Sequence, residues 1–219
     1  MFYKMMLVWI VIVLWSFHEK DSFVFASDRP IVGVVSLELT GILKTKFPLH
    51  DAYIAASYVK AIESSGGRVV PIKIGQSEEY YRWCIYSEDF KNSQSNVDWK
   101  ILTTSFDQSQ SPFVSTIEHK KFPIVGVQFH PEKHAYEWRE NKHYLHTPEA
   151  IEAGGYFFNW LVEQSKLNNQ SFVSYHDEMR SLIFNYHPIF SGAYNLSYTE
   201  MYLFKTEGSG EVPPYCLTP

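Results

Sequence analysis

Cysteine is scarce in this 219-residue chain: Cys84 and Cys216 are the only two, which excludes a small, disulfide-stapled scaffold. Their pairing with each other is left open by the sequence, because Cys216 lies beside the Pro-rich stretch Val212-Pro213-Pro214-Tyr215, with no packed element evident nearby to fix the geometry a disulfide needs. Glycine is missing altogether from Gln76 to Val125, so nothing there supplies the small residues of a sharp strand-to-helix turn. There is no excess of positive charge: the net charge is −5 and the pI about 6.0, which gives a nucleic-acid partner no support. The nine histidines are scattered, and His143 with His146 lacks a third ligand at convincing spacing, so neither a metal nor a cofactor is expected. Internal repeats and low-complexity segments are absent.

What is present fits an ordinary globular protein, with 45% hydrophobic and 20% charged residues and enough length for one well-buried domain. Near the start, Lys4 precedes the apolar run Met5 to Trp15, followed by Glu19, Lys20 and Asp21. That run is too short to span a bilayer and reads as a secretory signal peptide, residues 1–26, cleaved after Ala26; an uncleaved signal anchor is the alternative. Residues 27–219 are then expected as a single domain in an oxidising compartment, secreted and with no membrane attachment after cleavage. In that setting Asn169-Gln170-Ser171 and Asn195-Leu196-Ser197 are glycosylation candidates at Asn169 and Asn195.

The pattern along the chain is that of an α/β protein. Ile31 to Leu37 is an apolar, β-branched run without alternation, as in a strand covered on both faces. Asp51 to Ser64 places Ile54, Ala55, Tyr58, Val59 and Ile62 at helical spacing and stops at Gly66-Gly67, after which Arg68 to Ile72 returns as a strand. Together they predict a right-handed β-α-β unit. Further on, Ser77 to Tyr81 opens like a helix and Arg82 to Tyr86 continues like a strand, with no Gly, Pro, Asn or Asp between them. A missing turn of this kind marks a junction in the sequence near 80–82. Strands are expected over 99–104, 113–117 and 122–129, and a long helix over Pro148–Lys166, with Ile151, Phe158, Leu161 and Val162 on its inner side.

The strand ending at Gln128-Phe129 runs into His130-Pro131-Glu132-Lys133. The carboxyl ends of strands are where open α/β sheets keep their active sites. A histidine there can take a proton from a nucleophile, with a carboxylate fixing its tautomer, although His-x-Glu alone is a weak signal and a surface histidine before a proline is the plainer reading.

The run Gly126 to Lys133 resembles the histidine motif of class I glutamine amidotransferase-like hydrolases, and more closely that of the γ-glutamyl hydrolases. Arg29-Pro30-Ile31, Tyr53 to Lys60, Ile101 to Thr104 and Tyr136-Glu137-Trp138 resemble the same family in the same order. The resemblance implies a flavodoxin-like α/β fold with helices on both faces of its sheet, here without some central elements. It also implies hydrolysis of γ-glutamyl bonds of folyl- or antifolate-polyglutamates by a Cys-His-Glu mechanism, outside the cell or in lysosomes, and allows a homodimer. On it His130 is the base and proton donor, and Glu132 the acid that orients it. The family's nucleophilic cysteine sits in a Gly-x-Cys-x-Gly elbow, and this chain has none. Cys84, within Trp83-Cys84-Ile85, matches a later strand where the thiol has no catalytic role. The expectation is therefore a chain without a nucleophile, either an impaired hydrolase or a secreted, non-catalytic folate-polyglutamate-binding protein.

Overall fold

The computed structural model describes residues 28–76, 99–107, 109–120, 125–139, 142–167 and 171–205. The expected signal peptide, the junction near 80–82, both cysteines and Asn169 lie outside the described residues. The chain gathers into two compact units, one containing residues 87–130 and the other residues 22–86 and 131–219.

In the unit of residues 87–130 an antiparallel sheet is formed by β5 (Trp99–Phe106), β6 (Pro112–His119) and β7 (Val125–Val127), in that order. The β5–β6 turn is closed by Asp107, whose Oδ1 accepts from the backbone N–H groups of Ser109 and Ser111, both at 2.8 Å. This is the way an aspartate stands in for a backbone acceptor in a turn. Thr103 and Ser115 hydroxyls bond across the same pair of strands at 2.7 Å. The strand anticipated over 122–129 is regular only at Val125–Val127 among its described residues. One more rung follows, Gln128 N–H to the Ser115 carbonyl at 3.0 Å. The chain then leaves the ladder, so His130 follows an antiparallel strand and not a parallel one.

In the unit of residues 22–86 and 131–219, β1 (Ile31–Val35) pairs in parallel with β4 (Arg68–Ile72), Val32 opposite Val69. The β-α-β unit is therefore present. Its connection differs from the continuous helix expected over Asp51–Ser64: Ala52–Ala55 is a strand, β3, and the helix α2 is Ala56–Ser64. The helical spacing there was overridden by tertiary pairing. All four residues of β3 are buried, between β2 (Leu37–Glu38) and β8 (Met201–Phe204), and antiparallel ladders on both edges satisfy its backbone. Helix α2 ends as the sequence implied. Gly66 N–H donates to the Glu63 carbonyl and Gly67 N–H to that of Ile62, with Gly66 at φ +88°, the paired bonds of a left-handed glycine cap.

Helix α1 (Gly41–Lys46) and the single turn α3 (Lys133–Tyr136) precede α4 (Pro148–Lys166), whose bounds match the expected helix. Thr147 caps α4 by accepting from Ala150 N–H, with Pro148 in its first turn. Phe158, Leu161 and Val162 are buried as expected, but Ile151 is 40% exposed and belongs to no core face. Helix α5 (Tyr175–Ser181) is capped by Ser174. Its Glu178 takes Arg29 at 2.9 Å and also Arg68, tying the starts of β1 and β4 to that helix. The core of this unit is made by Ile54, Val59, Val69, Leu161, Ile183 and Phe204. The fold is mixed α/β. No helix among the described residues is long and apolar enough to cross a membrane.

Candidate functional site

His130 is half-buried in the loop after β7, and the boundary between the two compact units falls immediately after it. Pro131 follows, and Glu132 begins the turn into α3, 1% exposed. The proline is fixed from the other side by α4. A Cβ added at Gly154 would stand 2.3 Å from the Pro131 carbonyl oxygen, so the helix backbone rests directly on this turn, and only glycine permits the approach.

Around Glu132 the second unit builds a buried cluster of acids and phenols. The Tyr58 hydroxyl on α2 hydrogen-bonds Glu132, and burial, reinforced by the Glu132 charge, pushes the Tyr58 phenol well above its ordinary range. The hydroxyls of Tyr53 on β3 and Tyr198 bond each other, with ring centroids 5.9 Å apart. The Tyr198 phenol is raised as well, first by burial and then by the Tyr53, Glu132 and Glu137 groups around it. Glu137 is a second carboxylate at 1% exposure. Its Oε2 accepts the Thr199 N–H at 2.7 Å while Trp138 N–H donates to Thr199 Oγ1 at 2.9 Å. These two bonds tie the end of α3 to the segment before β8.

Between the two acids in sequence stands Lys133. Its half-buried ammonium lies 5.6 Å from the Tyr144 ring centre and 5.7 Å from that of Tyr198, an arrangement in which the electron-rich faces offset part of the lost hydration. Burial lowers the Lys133 ammonium from its ordinary range, and the charges of Glu132 and Glu137 act against that. The arrangement can hold a carboxylate in fixed orientation at the start of α3.

Of the expected residues, Glu132 is placed in a built, buried setting and His130 in a loop. Asn195 is exposed at the end of a short 3-10 turn, in left-handed backbone with φ 55°, a conformation asparagine tolerates. No group of three metal-ligating side chains occurs among the described residues. His134 Nδ1–H donates to the Leu145 carbonyl at 3.0 Å and His146 Nδ1–H to the His134 carbonyl at 2.8 Å. His146 also stacks on Trp138 at 3.9 Å, so both imidazoles serve as local braces. Lys133 and Glu137 enter the sequence reading only as members of the motifs that carry the resemblance, and Tyr198 does not enter it. Tyr58 stood there as a member of the apolar helix face, and the hint it carried was a phenol at a core position.

Residues 52–146 match the class-I glutamine amidotransferase family. The chain is similar to the γ-glutamyl hydrolase of Bos taurus, 34% identical over 126 residues, which is 57% of this chain and 39% of that protein. It is similar to the Homo sapiens γ-glutamyl hydrolase at 32% over the same shares, and to γ-glutamyl hydrolase 2 of Arabidopsis thaliana at 34% over 113 residues, 51% of this chain and 31% of that one. The chain thus spans less than half the length of these relatives. The chain, of mixed α/β fold, is similar over about half of its length to γ-glutamyl hydrolases, and residues 52–146 resemble part of a class-I glutamine amidotransferase domain.

Proposed function

We propose that this chain recognises γ-glutamyl chains, of the folyl- or antifolate-polyglutamate kind, and does not turn them over covalently. The observation that carries the reading is the pairing of a retained His130-Pro131-Glu132 arm with the lack of any thiol in a glycine-flanked elbow. In a Cys-His-Glu hydrolase the thiolate attacks the γ-glutamyl carbonyl, the imidazole protonates the leaving amine, and water then releases the acyl group from sulfur. Such groups act as a unit, and without the sulfur most of the covalent acceleration is lost, whereas ligand binding survives. The signal-peptide pattern supports a secreted or lysosomal setting, and the exposed Asn195 supports modification there.

The second reading is residual hydrolysis, favoured by the intact His130 and Glu132. A fluorogenic γ-glutamyl substrate, offered to the protein and to His130→Ala, separates the two. The expected result is no turnover by either, with saturable binding of a γ-glutamyl oligomer in calorimetry. Turnover that disappears in His130→Ala would establish the hydrolase, and the absence of both turnover and binding would overturn the proposal.

A further inference from the structure

Trp138 is an exposed indole in a fixed position. It is 66% exposed, although a tryptophan left in water forgoes most of the gain its large apolar area would bring on burial. Ordering a side chain in solvent also costs entropy, yet this one is fixed from several sides. Its backbone N–H donates to Thr199 Oγ1 at 2.9 Å, and the His146 imidazole lies flat against the indole, with ring centroids 3.9 Å apart and 2° between the planes. His146 is itself pinned by its Nδ1–H on the His134 carbonyl at 2.8 Å, while His134 Nδ1–H reaches back to the Leu145 carbonyl at 3.0 Å. These bonds cross-brace the segments on either side of the stack. Among the described residues no other ring or cation is set against Trp138, and one imidazole covers one face only, so the opposite face of the indole is open.

We infer that the open face of Trp138 is a stacking subsite for a flat, fused heteroaromatic ring, the pteridine-type head of a folyl or antifolate ligand. The assignment rests on the proposed function and adds a place for the group to which the γ-glutamyl chain is joined. An electron-rich indole face holds such a ring by stacking, in the way aromatic side chains hold nucleobases. A partner that is already rigid loses little freedom on binding, and the His146 brace provides that rigidity. The span also suits a single ligand. Glu132 stands at the start of α3 and Trp138 two residues past its end, which puts their backbones at most about 13 Å apart, from the rise of helical and extended chain. The ligand would lie along α3, with its ring on Trp138 and its γ-glutamyl bond toward Glu132.

Hydroxyl-radical footprinting with peptide mapping tests the subsite on the wild-type chain. The probes are pteroylglutamate, pteroate, which has the ring but no glutamate, and a γ-glutamyl oligomer, which has no ring. Oxidation of Trp138 is expected to be suppressed by the ring-bearing probes and unchanged by the oligomer. In calorimetry, Trp138→Ala should weaken pteroylglutamate about tenfold and leave the oligomer as it was, and Trp138→Tyr, which keeps a ring, should restore most of the loss. Trp138 oxidised at its full rate under saturating pteroylglutamate would overturn the inference. So would a Trp138→Ala chain that binds pteroylglutamate as the wild type does, or one that loses both ligands equally and so marks the stack as part of the fold. Should that variant fail to fold, the footprint decides, since it needs no substitution. If the oligomer does not bind while pteroate still protects Trp138, the proposed function fails and the subsite stands. If the oligomer binds and no ring protects Trp138, the subsite fails and the proposed function stands; if nothing binds, both are overturned.

Discussion

Gly154 and Gly155 are neighbours in the same helix, and substituting alanine at each should move stability in opposite directions. Alanine in a helix interior is favoured over glycine by about 1 kcal/mol, because the unfolded chain has less freedom to lose. At Gly155 nothing lies within 4 Å of the added Cβ, so Gly155→Ala should realise most of that gain. At Gly154 the methyl would meet the Pro131 carbonyl oxygen at 2.3 Å and its carbon at 3.3 Å, and both obstacles are backbone. Relief requires α4 or the His130-Pro131-Glu132 turn to move by about 1 Å, and overpacking of this kind costs about 1–3 kcal/mol. With the propensity gain set against it, Gly154→Ala should lose up to about 2 kcal/mol. That places the two variants about 2–3 kcal/mol apart at the extreme, a difference of several degrees in thermal midpoint for a chain of this length. Urea unfolding followed by circular dichroism reads both. Equal stabilisation by the two alanines would refute the claim that α4 rests on the Pro131 backbone.

Alkaline pH should expose the buried phenols. Tyr58 and Tyr198 are raised above their ordinary range in the folded chain, so above about pH 10 the unfolded state releases protons that the folded state retains, and stability falls as pH rises. For two groups the limiting slope is about 2.7 kcal/mol per pH unit. Lys133, lowered by burial, has the opposite sign, and its contribution fades as the unfolded lysine loses its proton around its ordinary pKa of about 10.4. Tyr58→Phe should remove roughly half of the slope attributed to this pair, measured by urea midpoints between pH 10 and 11.5; an unchanged slope would contradict the burial of that phenol. Gly66→Ala places a Cβ at φ +88° and should cost about 1–2 kcal/mol in the same assay, even though no atom stands in its way. Thr147→Ala should cost about 1 kcal/mol through loss of the α4 cap.

The parts of the fold that could be read from sequence were those set by local chemistry. The two ends of α4 are written in Thr147-Pro148 and in its amphipathic pattern, and the end of α2 in Gly66-Gly67. The β1–β4 pairing follows from two apolar runs around a crossover. Ala52–Ala55 was illegible because its partner, Met201–Phe204, lies some 150 residues further along the chain, and a tetrapeptide of alanine, tyrosine and isoleucine suits a helix until that partner is known. The site divided in the same way. His130 and Glu132 stand out because they are close in sequence, whereas Tyr58 and Tyr198 reach the surroundings of Glu132, and Thr199 those of Glu137, only through tertiary contact. Glu137 was visible in Tyr136-Glu137-Trp138, but nothing in its spacing signalled a carboxylate buried with one oxygen unmatched.

Intact-mass analysis and peptide mapping, after incubation with an electrophilic γ-glutamyl analogue that alkylates active-site thiols, read whether His130 and Glu132 have a reactive sulfur within reach. No adduct dependent on His130 is expected at Cys84 or Cys216, alongside reversible binding of the unreactive parent compound. Stoichiometric labelling of Cys84 that vanishes in His130→Ala would show a working nucleophile and refute the proposed non-covalent function.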